Sequence, residues 1–313
     1  MRKVYILMDI LVGYTGFVGS NILAKHKFDG LYNSKNIEEA FGTKPDLCVY
    51  SGVSAEKFLA NKEPEKDMEG IKGAIENIKK IAPKKLVLIS TIDVYKQPYD
   101  VDENTEMNTV DLQPYGLNRY YLEEWVRENV EDYHIIRLTG LFGKNLKKNF
   151  IYDLINYIPS MLNEVKYSEF SKKENLISKH YIKQDNGFYK CFCDNKEERV
   201  LLKECFKRIG FSALNFTDSR TVFQLYNLAY LWSHIEIALK KNIRLLNLTV
   251  EPVSVNEIYQ SIYNEEFVNE ILNIALKYDA GTIHSKEFSG LGKYIFSKEK
   301  VLGDIKTFIE SMV

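Results

Sequence analysis

The chain has 313 residues, 45% of them hydrophobic and 27% charged, with a formal net charge of −1. That composition suits a globular protein with a sizeable core. Its near-zero charge excludes a global pull towards nucleic acid or an anionic membrane surface, so an anionic ligand must be met by local charge. No apolar run approaches the roughly 20 residues of a spanning helix.

In chain order, residues 1–8 begin with a basic pair and become apolar, yet no small-residue cleavage site follows as a signal peptide requires. The stretch reads instead as a buried strand that Ile10 and Val12 close, and cytoplasm is the expected location. A glycine-rich turn follows, Gly13-Tyr14-Thr15-Gly16-Phe17-Val18-Gly19, and then a helix over 18–26. Residues 30–32 and 46–50 read as strands. Residues 67–81 place Met68, Ile71, Ile75 and Ile78 on one helical face. The continuous apolar run at 85–90 suits a parallel strand covered on both faces. A helix is expected over 115–129 and a strand over 134–138. Strands alternating with helices imply parallel β-α-β units in a doubly wound sheet.

The texture changes near residue 150. Residues 167–190 are rich in Lys, Ser and Asn with little periodicity. Helices are expected over 200–209, 226–240 and from 252 to 263, and a late strand over 244–250 that returns to the sheet. The expected architecture is α/β: a dinucleotide-binding Rossmann domain of residues 1–150 plus about 222–252. A smaller, interleaved C-terminal substrate lobe of about 151–221 plus 253–313 packs on the carboxyl edge of the sheet, where open α/β sheets bind ligands.

Three glycines at a first β-α junction carry a specific physical meaning. Gly13 permits the tight turn, Gly16 lets backbone approach a pyrophosphate, and Gly19 allows close helix–strand packing. Thr15, Phe17 and Val18 complete the candidate cradle. Directly after the strongest strand come Ser90, Thr91 and Asp93, and at the next helix start Tyr115 and Arg119, four apart and so on one helical face. A tyrosine beside a fixed cation can act as acid or base near neutral pH, and the Thr91 hydroxyl can hold a substrate oxygen.

In these motifs, and in Arg137-Leu138-Thr139-Gly140-Leu141-Phe142-Gly143 and the stretch from Asn247 to Ser254, the chain resembles the extended short-chain dehydrogenase/reductases of the NAD-dependent epimerase/dehydratase group, which act on nucleotide sugars. The match is good over roughly 8–150, patchy over 215–260 and absent over 151–214. The resemblance implies Tyr115 as the catalytic acid/base, Thr91 as its Ser/Thr partner and Asp93 near a further acid. Ser51, Gly52 and Ser90 would line the cofactor. Arg220 would grip a nucleotide-sugar diphosphate, for which a guanidinium is suited. The departure is Arg119, because the family pattern is Tyr-x-x-x-Lys; arginine keeps the charge on a longer, planar fork.

An NAD site usually shows an acidic residue about 20 residues beyond the glycines. Here that place reads Asn33-Ser34-Lys35, and Ser34 and Lys35 can receive a 2′-phosphate, which favours NADP(H) over NAD(H). The expected partner is a small nucleotide-sugar substrate, with no nucleic acid and no membrane; a homodimer is open to it. Two functions compete: an active epimerase, dehydratase or reductase, and a cofactor-binding regulatory or scaffold protein with a degraded site, for which Arg119 is the main support. No metal site is expected. Cys48, Cys191, Cys193 and Cys205 lack zinc-type paired spacing, Cys191 and Cys193 with one residue between giving only a weak signal. The histidines at 26, 134, 180, 234 and 284 are scattered.

Overall fold

The computed structural model describes residues 8–312; the strand expected to begin within residues 1–7 lies outside the described residues. Six parallel strands form the main sheet: β1 (Asp9–Val12), β2 (Gly30–Tyr32), β3 (Leu47–Tyr50), β4 (Leu86–Thr91), β5 (Tyr133–Leu138) and β6 (Leu245–Leu248). Their order is β6-β5-β4-β3-β1-β2, so the chain departs from β1 in both directions and a crevice opens at the carboxyl ends of β1 and β3. The sheet is therefore the expected doubly wound, Rossmann-like one. β6 pairs with β5 from Leu245 opposite Ile135 to Leu248 opposite Leu138, so the late strand does return to the sheet.

Helix α1 (Phe17–Leu23) follows the glycine turn; α2 (Lys57–Lys62) and α3 (Pro64–Ile81) follow β3; α4 (Pro114–Asn129) precedes β5. Proline opens both α3 and α4, where its missing N–H costs no helical bond. α3 buries Ile71, Ala74, Ile75, Ile78 and Ile81 against Ile10, Cys48, Tyr50 and Leu88 of the strands. The helix expected over 226–240 begins only at Leu231 (α5, Leu231–Lys240). Residues Leu225–Asn227 pair instead with Gly140–Phe142, and the Asn227 side chain then caps a short 3-10 turn.

The described residues divide into two compact units. The first runs to Leu146 and adds Val222–Val253 and Lys277–Ile305; the second has Lys147–Thr221, Ser254–Leu276 and the residues from Lys306. Residues 277–305, expected in the smaller lobe, belong with the first unit. The buried Gln224 amide donates to the Ala280 carbonyl at 2.7 Å and accepts from the Ala280 N–H at 2.9 Å, and the Asp279 N–H donates to Pro98 O at 2.8 Å.

The second unit has its own core of Leu162, Phe170, Ile177, Tyr181, Leu202 and Phe206. The stretch 167–190 is more ordered than its polar composition suggests. It continues the helix Glu164–Lys173, adds the helix Asn175–His180, and forms the antiparallel strands Tyr181–Lys183 and Tyr189–Cys191, with Met161–Leu162 as third strand. Single apolar anchors, Phe170 and Ile177, replace a full periodic stripe, and the Asn163 side chain caps the first helix. Among the described residues no helix is long and apolar enough to cross a membrane.

In the first unit, Glu123 of α4 is fully buried and meets Arg137 of β5, itself 1% exposed. Arg137 Nε lies 3.0 and 3.1 Å from the two carboxylate oxygens, Nη2 2.5 Å from one of them, and Nη1 donates to the Tyr95 hydroxyl at 2.7 Å. Removing one partner from such a pair strands the other charge in the core, at about 3–5 kcal/mol, whereas apolar replacement of both is far milder. Glu123→Ala is therefore expected to lose about that much stability in urea denaturation, and the double variant Glu123→Met/Arg137→Met to lose less than either single change. A double variant worse than the singles would mean the network is needed as a whole.

Candidate functional site

The glycine turn is held against β3. Gly13 has φ +88°, and a Cβ there would lie 2.5 Å from the Ser51 carbonyl oxygen. A Cβ at Gly19 would lie 2.2 Å from Gly13 O. Gly16 is different: its nearest obstacle is at 3.3 Å, and it and Thr15 are exposed. The packing therefore uses Gly13 and Gly19, while Gly16 leaves the outer side of the turn open beside Phe17 and Val18, the first residues of α1, whose N–H groups have no partner within the helix. Ser51 donates its hydroxyl to Val12 O at 2.9 Å and so ties β3 to β1. After β2, Asn33 and Asn36 close a tight turn: Asn33 Oδ1 accepts from the Lys35 N–H at 2.9 Å and Asn36 Oδ1 from the Asn33 N–H at 2.8 Å. The turn presents Ser34 and Lys35 outwards, and residues 33–36 contain no carboxylate.

A cleft of about 100 Å³ opens at the strand ends, lined among others by Val18, Ser51, Thr91, Tyr115, Arg119 and Thr139. Thr91 is the last residue of β4. Its hydroxyl accepts from the Asp93 N–H at 3.1 Å, and Thr91 is near enough to the Tyr115 phenol to draw its pKa down. Tyr115 is delivered there by an unusually close approach: a Cβ at Gly116 would be 2.0 Å from Asp93 O, so only glycine lets α4 start against that turn. The Tyr115 N–H is fixed by Asn61 Oδ1 at 2.9 Å.

Arg119 does share the helical face of Tyr115, but its fork is spent elsewhere. Nη1 and Nη2 bind the two Asp67 carboxylate oxygens at 2.5 and 2.9 Å, Nη2 donates to Ser54 O at 2.6 Å, and Nη1 to Tyr115 O at 3.0 Å. The guanidinium carbon stands 3.9 Å from the Tyr115 ring centroid, a cation–π contact. Arg119 does pull the phenol pKa down, as expected, but it is outweighed. Burial, the largest influence, pushes Tyr115 above its ordinary value; Arg119, Thr91 and Lys57 pull it down and Asp93 pushes it up, and the outcome is a rise. The Arg119–Asp67 pair also forms wall: Arg119 lines the cleft, and Asp67 lines an adjoining cavity of about 360 Å³ with Gly52, Ser54, Leu59 and Lys66.

Asp93 is paired with Lys57, a residue that sequence reasoning missed. Lys57 Nζ donates to Asp93 Oδ1 at 2.8 Å and lies 3.4 Å from the Tyr278 hydroxyl. Burial alone would lower the ammonium pKa, but the Asp93 carboxylate outweighs it and Lys57 is held above the usual lysine value. Its only sequence signal is position, a few residues past the end of β3 at Ser51-Gly52. Gly116 was missed as well, since its role depends on a neighbour 23 positions away.

Two further expectations change. Ser90 is part of the cleft lining, yet its hydroxyl donates to Glu123 at 2.5 Å and so serves the buried network rather than the cleft. Arg220, in the second unit, is occupied at home: Nε and Nη2 bind Asp218 at 3.0 and 2.8 Å, Nη1 pairs with Glu270 at 2.9 Å, and Nη2 donates to Leu272 O at 2.6 Å. The Asp218 carboxyl is held well below the usual carboxylate range, first by Arg220. The fork that would grip a diphosphate is already satisfied.

No protein-family model and no curated protein matches the sequence. Among solved structures the chain is similar to dTDP-4-dehydrorhamnose reductase of Bacillus anthracis str. Ames in complex with NADP, at 16% identity over 97% of this chain and 99% of that one, TM-score 0.62. It is similar also to UDP-glucose 4-epimerase of Thermotoga maritima with UDP-glucose, at 16% identity over 97% and 98% of the two chains, TM-score 0.59. A third is UDP-N-acetylglucosamine 4-epimerase from Methanobrevibacter ruminantium M1 in complex with UDP-N-acetylmuramic acid, at 12% identity over 97% of each chain, TM-score 0.61. The chain shares the doubly wound, Rossmann-like fold of these structures along nearly its whole length.

The glycines are expected to separate in a stability measurement. Gly19→Ala drives a methyl into Gly13 O and should cost about 2–3 kcal/mol, as overpacking does, with a lower Tm. Gly16→Ala, meeting one neighbour at 3.3 Å, should cost less than about 1 kcal/mol. Equal losses at both would contradict the division of labour between them.

Proposed function

We propose that the protein belongs to the NAD-dependent epimerase/dehydratase group and reduces a carbonyl on a nucleotide sugar, with NADP(H) as cofactor and Tyr115 as the proton donor. One observation carries the direction of the reaction: the Tyr115 phenol, beside Thr91 in the strand-end cleft, has a raised pKa and is therefore protonated across the neutral range. A protonated phenol donates to a carbonyl oxygen, whereas an epimerase or dehydratase begins by withdrawing a proton.

The residues at the strand ends suit a dinucleotide. Gly13 to Gly19 would hold the pyrophosphate, with Gly16 leaving room that a side chain would fill. Ser34 and Lys35 would take a 2′-phosphate at a place where no carboxylate stands to accept from a ribose hydroxyl. The bound nicotinamide would supply hydride chemistry. The rest is the work of this chain. Thr91 Oγ1 and the Tyr115 hydroxyl would hold the same substrate oxygen, and the phenol proton would pass to it. The Arg119 guanidinium beneath the ring and the Lys57 ammonium would then stabilise the phenolate, Arg119 acting through the ring face rather than by a hydrogen bond to the hydroxyl. Asp93 positions Lys57.

Tyr115→Phe should cut the rate of NADPH oxidation with 4-keto nucleotide sugars by about 10²–10⁴-fold while leaving dinucleotide affinity unchanged. Lys57→Met should lower kcat more than it raises KM. The pH profile gives the sign: the acid form is needed, so reduction should stay flat through neutrality and fall only as pH rises above about 10, the ordinary phenol value. A rate that rises between pH 6 and 9 would show the phenolate, and hence a base, to be the working form. The second reading, a dinucleotide-binding protein without turnover, is favoured by one contact, the Asp67 carboxylate that neutralises Arg119. Wild type and Tyr115→Phe that bind NADPH equally and are both inactive on every nucleotide sugar would establish it.

For the cofactor, Gly16→Val should abolish dinucleotide binding in a folded protein, read by cofactor fluorescence. Lys35→Glu should shift the affinity ratio from NADP(H) towards NAD(H), because the introduced carboxylate repels a 2′-phosphate and can accept from a 2′-hydroxyl. An unmoved ratio would make Lys35 a bystander.

A further inference from the structure

The second unit brings together three side chains of metal-ligating chemistry. His180 ends the helix Asn175–His180, Cys193 follows the strand Tyr189–Cys191, and Glu198 lies in the first turn of the helix Lys196–Ile209. One ligand atom from each, an imidazole nitrogen, the thiol sulfur and a carboxylate oxygen, all lie within 4.8 Å of one another. His180 and Cys193 are buried, at 6% and 5% exposure.

The orientation of His180 is the decisive feature. Its Nδ1 lies 3.2 Å from the Phe192 carbonyl, which can only accept, so Nδ1 carries a proton and Nε2 is the ring atom left to face the cluster. That Nε2 is buried with no hydrogen-bond partner and lies 3.4 Å from Glu198 Oε2, which has lone pairs to offer a metal. A buried imidazole nitrogen without a hydrogen bond, a carboxylate oxygen and a thiol sulfur that converge within 4.8 Å of one another are placed to share a cation. The carbonyl on Nδ1 is the kind of outer partner that orients metal-bound histidines. The other Glu198 oxygen is paired with Lys179, which leaves Oε2 for the site.

We propose that His180 Nε2, Cys193 Sγ and a Glu198 carboxylate oxygen form a zinc site in this unit, with water as fourth ligand. One nitrogen, one sulfur and one oxygen at tetrahedral number suit zinc better than the oxygen-seeking magnesium or calcium. Binding replaces the thiol proton: Cys–SH and Zn²⁺ give the zinc thiolate and one proton released to water, with no change of oxidation state. The site ties the end of a helix, the end of a strand and the start of a second helix, in a unit whose sheet has only three short strands. Its role is therefore structural, and separate from the strand-end cleft of the first unit.

The test uses the full chain, stripped with chelator and titrated with Co²⁺, then with Zn²⁺. Wild type should take up one metal per chain, show a thiolate-to-cobalt charge-transfer band in the near ultraviolet, and lose the band as zinc displaces cobalt. Zinc should also protect Cys193 from alkylation, mapped by mass spectrometry, and raise Tm. Cys193→Ser should lose the band. His180→Gln and Glu198→Gln should weaken zinc binding by about 10–100-fold or more, since losing a ligand costs at least what losing its outer partner does. Cys191→Ser, outside the ligand set, should behave as wild type. Absence of stoichiometric metal in the wild type overturns the site without need of any variant. A band that survives Cys193→Ser, or is lost in Cys191→Ser, overturns the ligand assignment.

Discussion

A carboxylate with no access to water is tolerable only where its charge is met in full, and Glu123 imposes that demand on the centre of the first unit. Arg137 meets it from β5, Ser90 donates to it from β4, and Arg127 approaches it at 3.3 Å from the next turn of α4. Arg137 in turn reaches the Tyr95 hydroxyl, which donates to Asp102 O at 2.6 Å and lies 3.3 Å from the Asn247 amide of β6. The pair therefore fixes the rotation of α4 about its own axis relative to three strands. Tyr115, Arg119 and Glu123 stand at i, i+4 and i+8, one stripe of one helix. Fixing Glu123 against the sheet sets where Arg119 meets α3 and where Tyr115 meets Thr91. The catalytic geometry proposed for the cleft is thus set two turns away, by a group that never touches it.

The stripe explains how much of the site could be read in the sequence. Continuous apolar runs marked β3, β4 and β5, the glycine spacing marked the first crossover, and the four-residue interval put Tyr115 and Arg119 on one face; all of these are local patterns of period two or 3.6. What was not legible depended on distant partners. Asp67 stands 52 positions from Arg119 and Lys57 stands 36 from Asp93, and neither pairing leaves a periodic trace. The return of residues 277–305 to the first unit rests on Gln224, 56 positions from Ala280, for the same reason. In the second unit the short strands at 181–183 and 189–191 have no alternation long enough to show, and His180, Cys193 and Glu198 lie on three separate elements. Their separations of 13 and five residues match no familiar ligand interval, which is why neither the scattered histidines nor the cysteines suggested a metal.

Arg119 illustrates why an ion at a motif position is not equivalent to the charge it carries. A lysine offers a compact ammonium that can reach over a ring towards a hydroxyl; arginine presents a flat fork suited to two oxygens at once. Here the fork found Asp67 and the Ser54 carbonyl, and the flat face was left for the Tyr115 ring. The residue braces α4 to α3 and to the loop after β3 while it keeps a positive charge beneath the phenol. It is part of the scaffold and part of the electrostatics together, and removing its charge would disturb both.

The same reasoning accounts for the direction of the Tyr115 shift. Two cations act on the phenol, Arg119 and Lys57, and each has its own carboxylate, Asp67 at 2.5 Å and Asp93 at 2.8 Å. Paired charges of opposite sign cancel part of each other's field a few ångströms away, so the two cations pull the phenol down less than they would alone. Burial penalises the anion directly and is the largest influence, so the balance is a rise. A site with unpaired cations would pull the phenol down and favour proton removal. A site with two paired cations leaves the proton on the oxygen, which is the behaviour that the proposed carbonyl reduction requires of its acid.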